Sequence, residues 1–200
     1  MLVYKPYGKT PKEIVDENII KYKATKGCFS GRLDPMASGY LYVYLNDQCM
    51  DARKCDLLNK KYRFIILFGI KTTSLDLLGF PTINKTDKII NKEQIIDALE
   101  QIKMRTKQKI PNYSSFVVSN GIEKKPLWWW TKYNRLHEII NRPIQERKML
   151  NYEIRDDIKE ININEIVDIA ETRINLINKK QQFQQEDIIR SWKLLDKTQI

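Results

Sequence analysis

Apolar residues in this chain recur at two different periods, and that mixture constrains the fold more than any other feature. Ile14, Val15, Ile19 and Tyr22 follow Thr10 on one face at helical spacing, and Thr10-Pro11-Lys12-Glu13 places a capping oxygen at N-cap, proline at N1 and glutamate at N3. Asn91 with Gln94 opens a second predicted helix carrying Ile95, Ile96, Leu99 and Ile102. Asn162 opens a third, with Ile163, Ile166, Val167, Ala170, Ile174 and Ile177 repeating every 3.6 residues. Elsewhere the period is two: residues 40–45 alternate Tyr40, Tyr42, Tyr44 against Leu41, Val43, Leu45, and residues 62–68 place Tyr62, Phe64, Ile66 and Phe68 on one side, so both read as strands. Residues 69–84, with Thr and Ser clusters, Gly79 and Pro81, read as a loop, and 179–185 as a polar turn. Helices and strands alternate without a regular βαβ rhythm, which makes the fold class α+β.

The chain shows no internal repeat and no Gly/Ser linker, so a single domain over residues 1–200 is expected, a length that needs no disulfide or metal staple. No apolar run approaches the ~20 residues of a membrane span. Lys and Arg number 35 against 25 Asp and Glu, a net charge of +10 that favours a polyanionic partner, nucleic acid first. One histidine, His137, makes His-rich zinc sites and most Ser-His-Asp schemes hard to build. Cys28, Cys49 and Cys55 have no C-x-x-C spacing and read as reduced packing thiols of an intracellular, cytoplasmic protein. Chemistry, if present, rests on carboxylate, hydroxyl, amine or guanidinium groups.

Asp34 is the sharpest candidate. It is the only acid between Glu17 and Asp47, while Lys21, Lys23, Lys26 and Arg32 supply positive charge around it. Pro35 biases it toward extended backbone, and Gly31 and Gly39 permit a tight loop close to a ligand. A lone ionised carboxylate in a basic, glycine-bracketed loop suits a nucleophile that meets a phosphate-rich substrate; an aspartate capping a turn has the same local pattern.

Gly31-Arg32-Leu33-Asp34-Pro35-Met36-Ala37-Ser38-Gly39 closely resembles the catalytic motif of the TruB-type pseudouridine synthases, G-x-L-D-P-x-A-x-G. Lys5-Pro6-Tyr7-Gly8-Lys9-Thr10 is similar to the family's K-P-x-G-x-T segment. Lys61-Tyr62-Arg63, followed by Gly69-Ile70-Lys71-Thr72-Thr73-Ser74-Leu75-Asp76-Leu77-Leu78-Gly79, resembles its K-x-Y strand and G-x-x-T-x-x-x-D-x-x-G loop. Gln108-Lys109-Ile110-Pro111-Asn112-Tyr113-Ser114-Ser115 resembles Q-x-P-P-x-Y-S-A. These ordered blocks cover about residues 3–140. The resemblance implies a largely antiparallel mixed sheet flanked by helices, and isomerisation of uridine to pseudouridine in structured RNA, with the T-loop uridine-55 of tRNA the expected target. It implies Asp34 as nucleophile, Tyr62 as the ring that stacks on the uracil, a monomer acting on RNA and not on a membrane, and no metal or organic cofactor.

Three departures bear on these expectations. Phe29 stands where the family usually has histidine, a position associated with contact to the RNA loop. The family's later G-T-Y-I-R-S segment, whose arginine pairs with the catalytic aspartate, has its nearest counterpart in Asp187-Ile188-Ile189-Arg190-Ser191, which would make Arg190 that partner. The other reading takes residues 183–195 as an ordinary amphipathic helix with Arg190 on its surface, and the sequence leaves both open. The family's appended C-terminal RNA-binding domain (PUA type) is expected to have no counterpart. Two rivals follow: a catalytically silent RNA-binding or remodelling protein that keeps the fold, and a guide-RNA-dependent subunit. Lys103, Arg105, Lys107 and Lys109, four cations in seven residues, read either as a solvated helix end or as a phosphate-contacting rim. Of Trp128, Trp129 and Trp130, at least one is expected in the core.

Overall fold

The computed structural model describes residues 1–84, 90–155 and 157–195, with the backbone alone for 53–57. Strand β1 (Leu2–Lys5) is followed by helix α1 (Pro11–Lys21), strands β2 (Gly27–Ser30) and β3 (Gly39–Leu45), a 3-10 segment (Asn46–Leu57) and strands β4 (Ile70–Thr72) and β5 (Pro81–Ile83). Helix α2 (Lys92–Met104), strands β6 (Lys107–Lys109), β7 (Val117–Ser119) and β8 (Lys124–Pro126), helix α3 (Leu127–Lys132) and strand β9 (Ile144–Glu146) come next, then helices α4 (Ile163–Asn175) and α5 (Gln185–Leu195). The class is α+β, and every ladder among the described residues is antiparallel. The ladders form four small sheets, β1-β3-β2, β4-β5, β6-β9 and β7-β8, where the resemblance implied one larger sheet. No described helix is long and apolar enough to cross a membrane. The chain divides into two compact units, Met1–Lys85 with Ile161–Ile200, and Thr86–Glu160.

The three helix starts stand where the capping signals put them. Thr10 and Glu13 close a reciprocal capping box, Asn91 and Gln94 close another, and the Asn162 side chain accepts from Asn164 N–H. These contacts involve only residues three or so apart, so local sequence suffices to fix them.

In the first unit, Ile14 and Val15 of α1 pack with Leu41, Val43 and Leu45 of β3, joined by Val3, Ile19, Ala24, Phe29 and Leu33. Tyr22, counted with the α1 stripe from sequence, instead caps the helix and is exposed, because the helix ends before its ring reaches the sheet. A second cluster joins Ile166, Val167, Ala170 and Ile174 of α4 to Ile188, Trp192 and Leu195 of α5, with Leu77, Leu78 and Phe80 packed against it. In the second unit, Ile110, Val118, Leu127, Trp130 and Ile139 make a separate core. Trp130 is fully buried, its indole N–H donating to Lys125 O at 3.1 Å, while Trp128 is exposed.

Two segments differ from the sequence reading. Residues 69–84 are not a simple loop: β4 and β5 pair as a hairpin, Ile70 opposite Ile83 and Thr72 opposite Pro81. Three-residue strands are too short to show a period, whereas the Ser and Gly of their connection and the Pro81 that opens β5 dominate the local signal. The strand expected over 62–68 is absent. Tyr62, Phe64, Ile66 and Phe68 are all exposed, and so is the intervening Ile65. Alternation specifies which residues share a face, but a ladder also needs a neighbour to exchange hydrogen bonds, and no described strand supplies one here.

Candidate active site

The motif around Asp34 becomes a turn anchored at both ends. Gly31 follows β2 at φ 80°, a left-handed conformation a side chain disfavours. Leu33 turns inward onto the α1–β3 core and Asp34 points out, exposed. Pro35 then sits at the second position of a turn closed by Ala37 N–H donating to Asp34 O at 2.9 Å. The Asp34 carboxylate accepts no hydrogen bond among the described residues.

The K-P-Y-G segment holds this turn from behind. Gly8 N–H donates to Pro35 O at 2.9 Å. Gly8 has φ 83°, and a Cβ there would lie 2.5 Å from Leu176 O just past α4, so only glycine lets the segment run between the turn and the helix end. Arg173 of α4 lies over the Tyr7 ring at 4.8 Å, bringing a guanidinium to the same corner.

Lys5, paired with Gly39 across the β1–β3 ladder, is fully buried; its ammonium donates to Lys9 O at 2.8 Å and Pro6 O at 3.0 Å. Burial lowers its pKa to about 8, against the opposing pull of the Asp34 and Glu13 charges. Asp76, between β4 and β5, accepts from Ser74 Oγ at 2.6 Å and Leu78 N–H at 3.0 Å. Burial pushes its carboxyl above the usual carboxylate range; those two hydrogen bonds pull it back, and the Asp34 charge adds to the upward push. Asp34 therefore shares one electrostatic neighbourhood with a buried ammonium and a second, reluctant carboxyl.

Lys5 titrates within an accessible range, which gives a direct test of this geometry. Its folded pKa is lowered, so the unfolded chain binds more protons between about pH 8 and the ordinary lysine value of 10.5. The penalty for burying the charge is complete below pH 8 and is relieved as pH rises through that window. Urea unfolding of wild-type and Lys5→Met chains from pH 7 to 10 is expected to show wild type gaining stability relative to the variant above pH 8. A pH-independent difference would mean that Lys5 is not buried as described.

The other sequence candidates lie apart from this neighbourhood in character. Tyr62 is 62 % exposed on the extended, unladdered segment. Arg190 lies on the exposed flank of α5, where its ion pair is with Asp187, one helical turn back at 3.9 Å, while Ile188 and Trp192 face the core. Residues 185–195 thus form an amphipathic helix with Arg190 exposed on it. Phe29 packs into the α1–β3 cluster, as a residue on β2 facing that helix must. Cys28 and Cys49 are free thiols, and the Cys55 side chain lies outside the described residues. Lys5, Asp76 and Arg173 were not singled out from sequence, because each takes its meaning from a partner at least 29 positions away. The local signs were the motif positions held by Lys5 and Asp76, to which no role was attached, and Gly8, whose freedom at positive φ lets the chain after Lys5 turn back on itself.

One exposed carboxylate on a proline turn, braced by a glycine segment and a buried lysine, makes a candidate site of the aspartate-loop kind on an α+β scaffold. A family model described as TruB family pseudouridylate synthase (N terminal domain) matches residues 19–164, and the chain belongs to that family. It is 32 % identical over 168 residues to tRNA pseudouridine synthase B of Ureaplasma urealyticum, covering 84 % of this chain and 70 % of that protein. It is 31 % identical over 165 residues to the protein of the same name from Buchnera aphidicola, covering 82 % and 50 %. Against that of Aquifex aeolicus it is 29 % identical over 115 residues, covering 58 % and 40 %. The chain thus spans about half or less of the length of several of these curated relatives.

Proposed function

We propose that this chain is an RNA pseudouridine synthase, with tRNA as substrate, the T-loop uridine-55 as target and Asp34 as the nucleophile. The observation that carries the reading is the Asp34 turn itself: a solvent-facing carboxylate held at a fixed point by the Gly8–Pro35 hydrogen bond. In this reading a carboxylate oxygen attacks the flipped nucleoside, the glycosidic bond breaks, the uracil turns, and it rejoins the sugar through carbon. The product is an isomer of the substrate, so every atom is retained and no co-reactant is consumed.

A base inside a stacked loop is out of reach, so the nucleotide leaves the stack at a cost of a few kcal/mol. An exposed ring such as Tyr62 returns about 1–3 kcal/mol by stacking, and phosphate contacts hold the rest of the RNA. Lys5 is the positive group we assign to balance the Asp34 charge, with Arg173 at the same corner; Arg190 is assigned no part in it. The two compact units act as one catalytic domain in the cytoplasm, as a monomer.

The test uses the purified chain and an unmodified tRNA transcript, with pseudouridine mapped by chemical adduct and primer extension. A single adduct stop in the T-loop is expected. RNA binding with no product would instead favour the silent RNA-binding reading.

A further inference from the structure

Within the second unit, residues 103–148 carry eleven Lys and Arg against three Asp and Glu, a net +8 in a chain whose total is +10. Two of the three acids there are held in ion pairs. Glu123 and Glu138 both bind Arg135, at 2.7 Å and 2.5 Å, and Glu146 stands opposite Lys107 in the β6–β9 ladder. The cations outnumber every internal partner available to them.

The ladder sorts these cations by face. Lys107 opposes Glu146, Gln108 opposes Gln145 and Lys109 opposes Ile144. Arg147 N–H donates to Thr106 O at 2.7 Å, which carries the pairing one step beyond the strands. Arg105 is extended at φ −84° and ψ 114°, so alternation continues back from Lys107 to Arg105 and on from Glu146 to Lys148. Arg105, Lys107, Lys109 and Lys148 therefore share one face of a two-stranded ribbon, with Glu146 as the one acid among them. All four are exposed, and none forms an ion pair among the described residues. Successive cations along β6 stand about 7 Å apart, at twice the rise per strand residue.

We propose that this ribbon face is a phosphate-binding surface for the sugar–phosphate backbone of the RNA substrate. The proposal rests on the RNA-substrate reading above and adds where the backbone is gripped. Charge complementarity selects the occupant. A protein partner would be expected to find an apolar or aromatic anchor at the centre of its patch, and the only apolar side chain on this face is Ile144. A row of ammonium and guanidinium groups without base-reading geometry positions a nucleic acid and carries no sequence preference.

The experiment is a salt titration of tRNA-transcript binding by the full chain and two variants. In R105Q/K107Q/K109Q/K148Q, the slope of log affinity against log salt is expected to fall by about 3–4, near one for each phosphate no longer neutralised. The Kd at 150 mM salt is expected to rise at least about tenfold. In K107R/K109R, which keeps the charge, affinity and slope are expected to match wild type. The four positions are exposed, and coincident thermal melts of the three chains verify that folding is intact. An unchanged slope and Kd in the glutamine variant overturns the ribbon surface, and so does equal weakening in the arginine variant, which would point to backbone disturbance. If wild type yields no pseudouridine yet binds RNA with a ribbon-dependent slope, the synthase reading fails and the ribbon surface stands.

Discussion

Asp34→Asn is expected to reduce pseudouridine formation on a tRNA transcript by at least about 10⁴-fold, the scale on which removal of a covalent nucleophile acts. The substitution preserves shape and changes only the oxygen that attacks, because a carboxamide is neutral and a poor nucleophile. The carboxylate is exposed and accepts no hydrogen bond among the described residues, the turn is closed by the backbone of Asp34 and Ala37, and the Asp34 charge acts in opposite senses on its two neighbours, favouring the Lys5 ammonium and disfavouring an ionised Asp76. The melting temperature should therefore stay within a degree or two of wild type, since exposed substitutions away from special features change stability by less than about 0.5 kcal/mol. RNA affinity should also persist. Primer-extension mapping and a binding titration on the same preparation separate the two effects. Modification at the wild-type rate by the asparagine variant would remove Asp34 from the chemistry.

The second large effect is on stability. Trp192 is fully buried between α4 and α5, with its indole N–H donating to Leu77 O at 3.0 Å. Trp192→Ala opens a cavity and leaves that carbonyl without its donor, so a loss of about 3–5 kcal/mol is expected. For a chain of this size that lowers the melting temperature by about 6–20 °C. The carbonyl belongs to the segment between β4 and β5 that also carries Asp76, so the variant should lose activity on warming well before wild type while keeping a measurable rate at low temperature. Trp192→Phe, which keeps an aromatic ring and removes the N–H donor, is expected to fall between the two. Thermal melts followed by near-UV circular dichroism check both, and an alanine variant that melts with wild type would mean the α4–α5 cluster is not assembled as described.

The sequence was most informative where the physics is local. Helix starts at Thr10, Asn91 and Asn162 were legible because a capping side chain and its donor lie within one turn of each other. The tight turn at Asp34 was legible from Pro35 and the flanking glycines, whose backbone preferences are intrinsic. The motif blocks were equally plain as strings of residues. By contrast, Tyr62 to Phe68 alternates as convincingly as β3, yet β3 is flanked by two strands and the later segment by none among the described residues. Trp129 and Trp130 are neighbours in sequence and their rings meet edge to face at 5.2 Å, but only the second is fully buried, because Trp129 packs at the margin of the core that encloses Trp130.

Arg190 shows the same limit at the level of the site. Its five-residue context admitted two roles, and its place in the fold depends on α5, whose core face is taken by Ile188, Trp192 and Leu195, leaving position 190 on the outside. The residues did by themselves determine the α+β class, the helix caps, the basic balance and the acidic turn, since each depends on groups a few positions apart or on a simple sum of charges. Only the folded chain decided that Lys5 and Asp76 each sense the charge of Asp34, that Gly8 must pass under Leu176, and that four cations line one ribbon face. Those relations join segments distant along the backbone, and their strength comes from burial and proximity, which no string of residues contains.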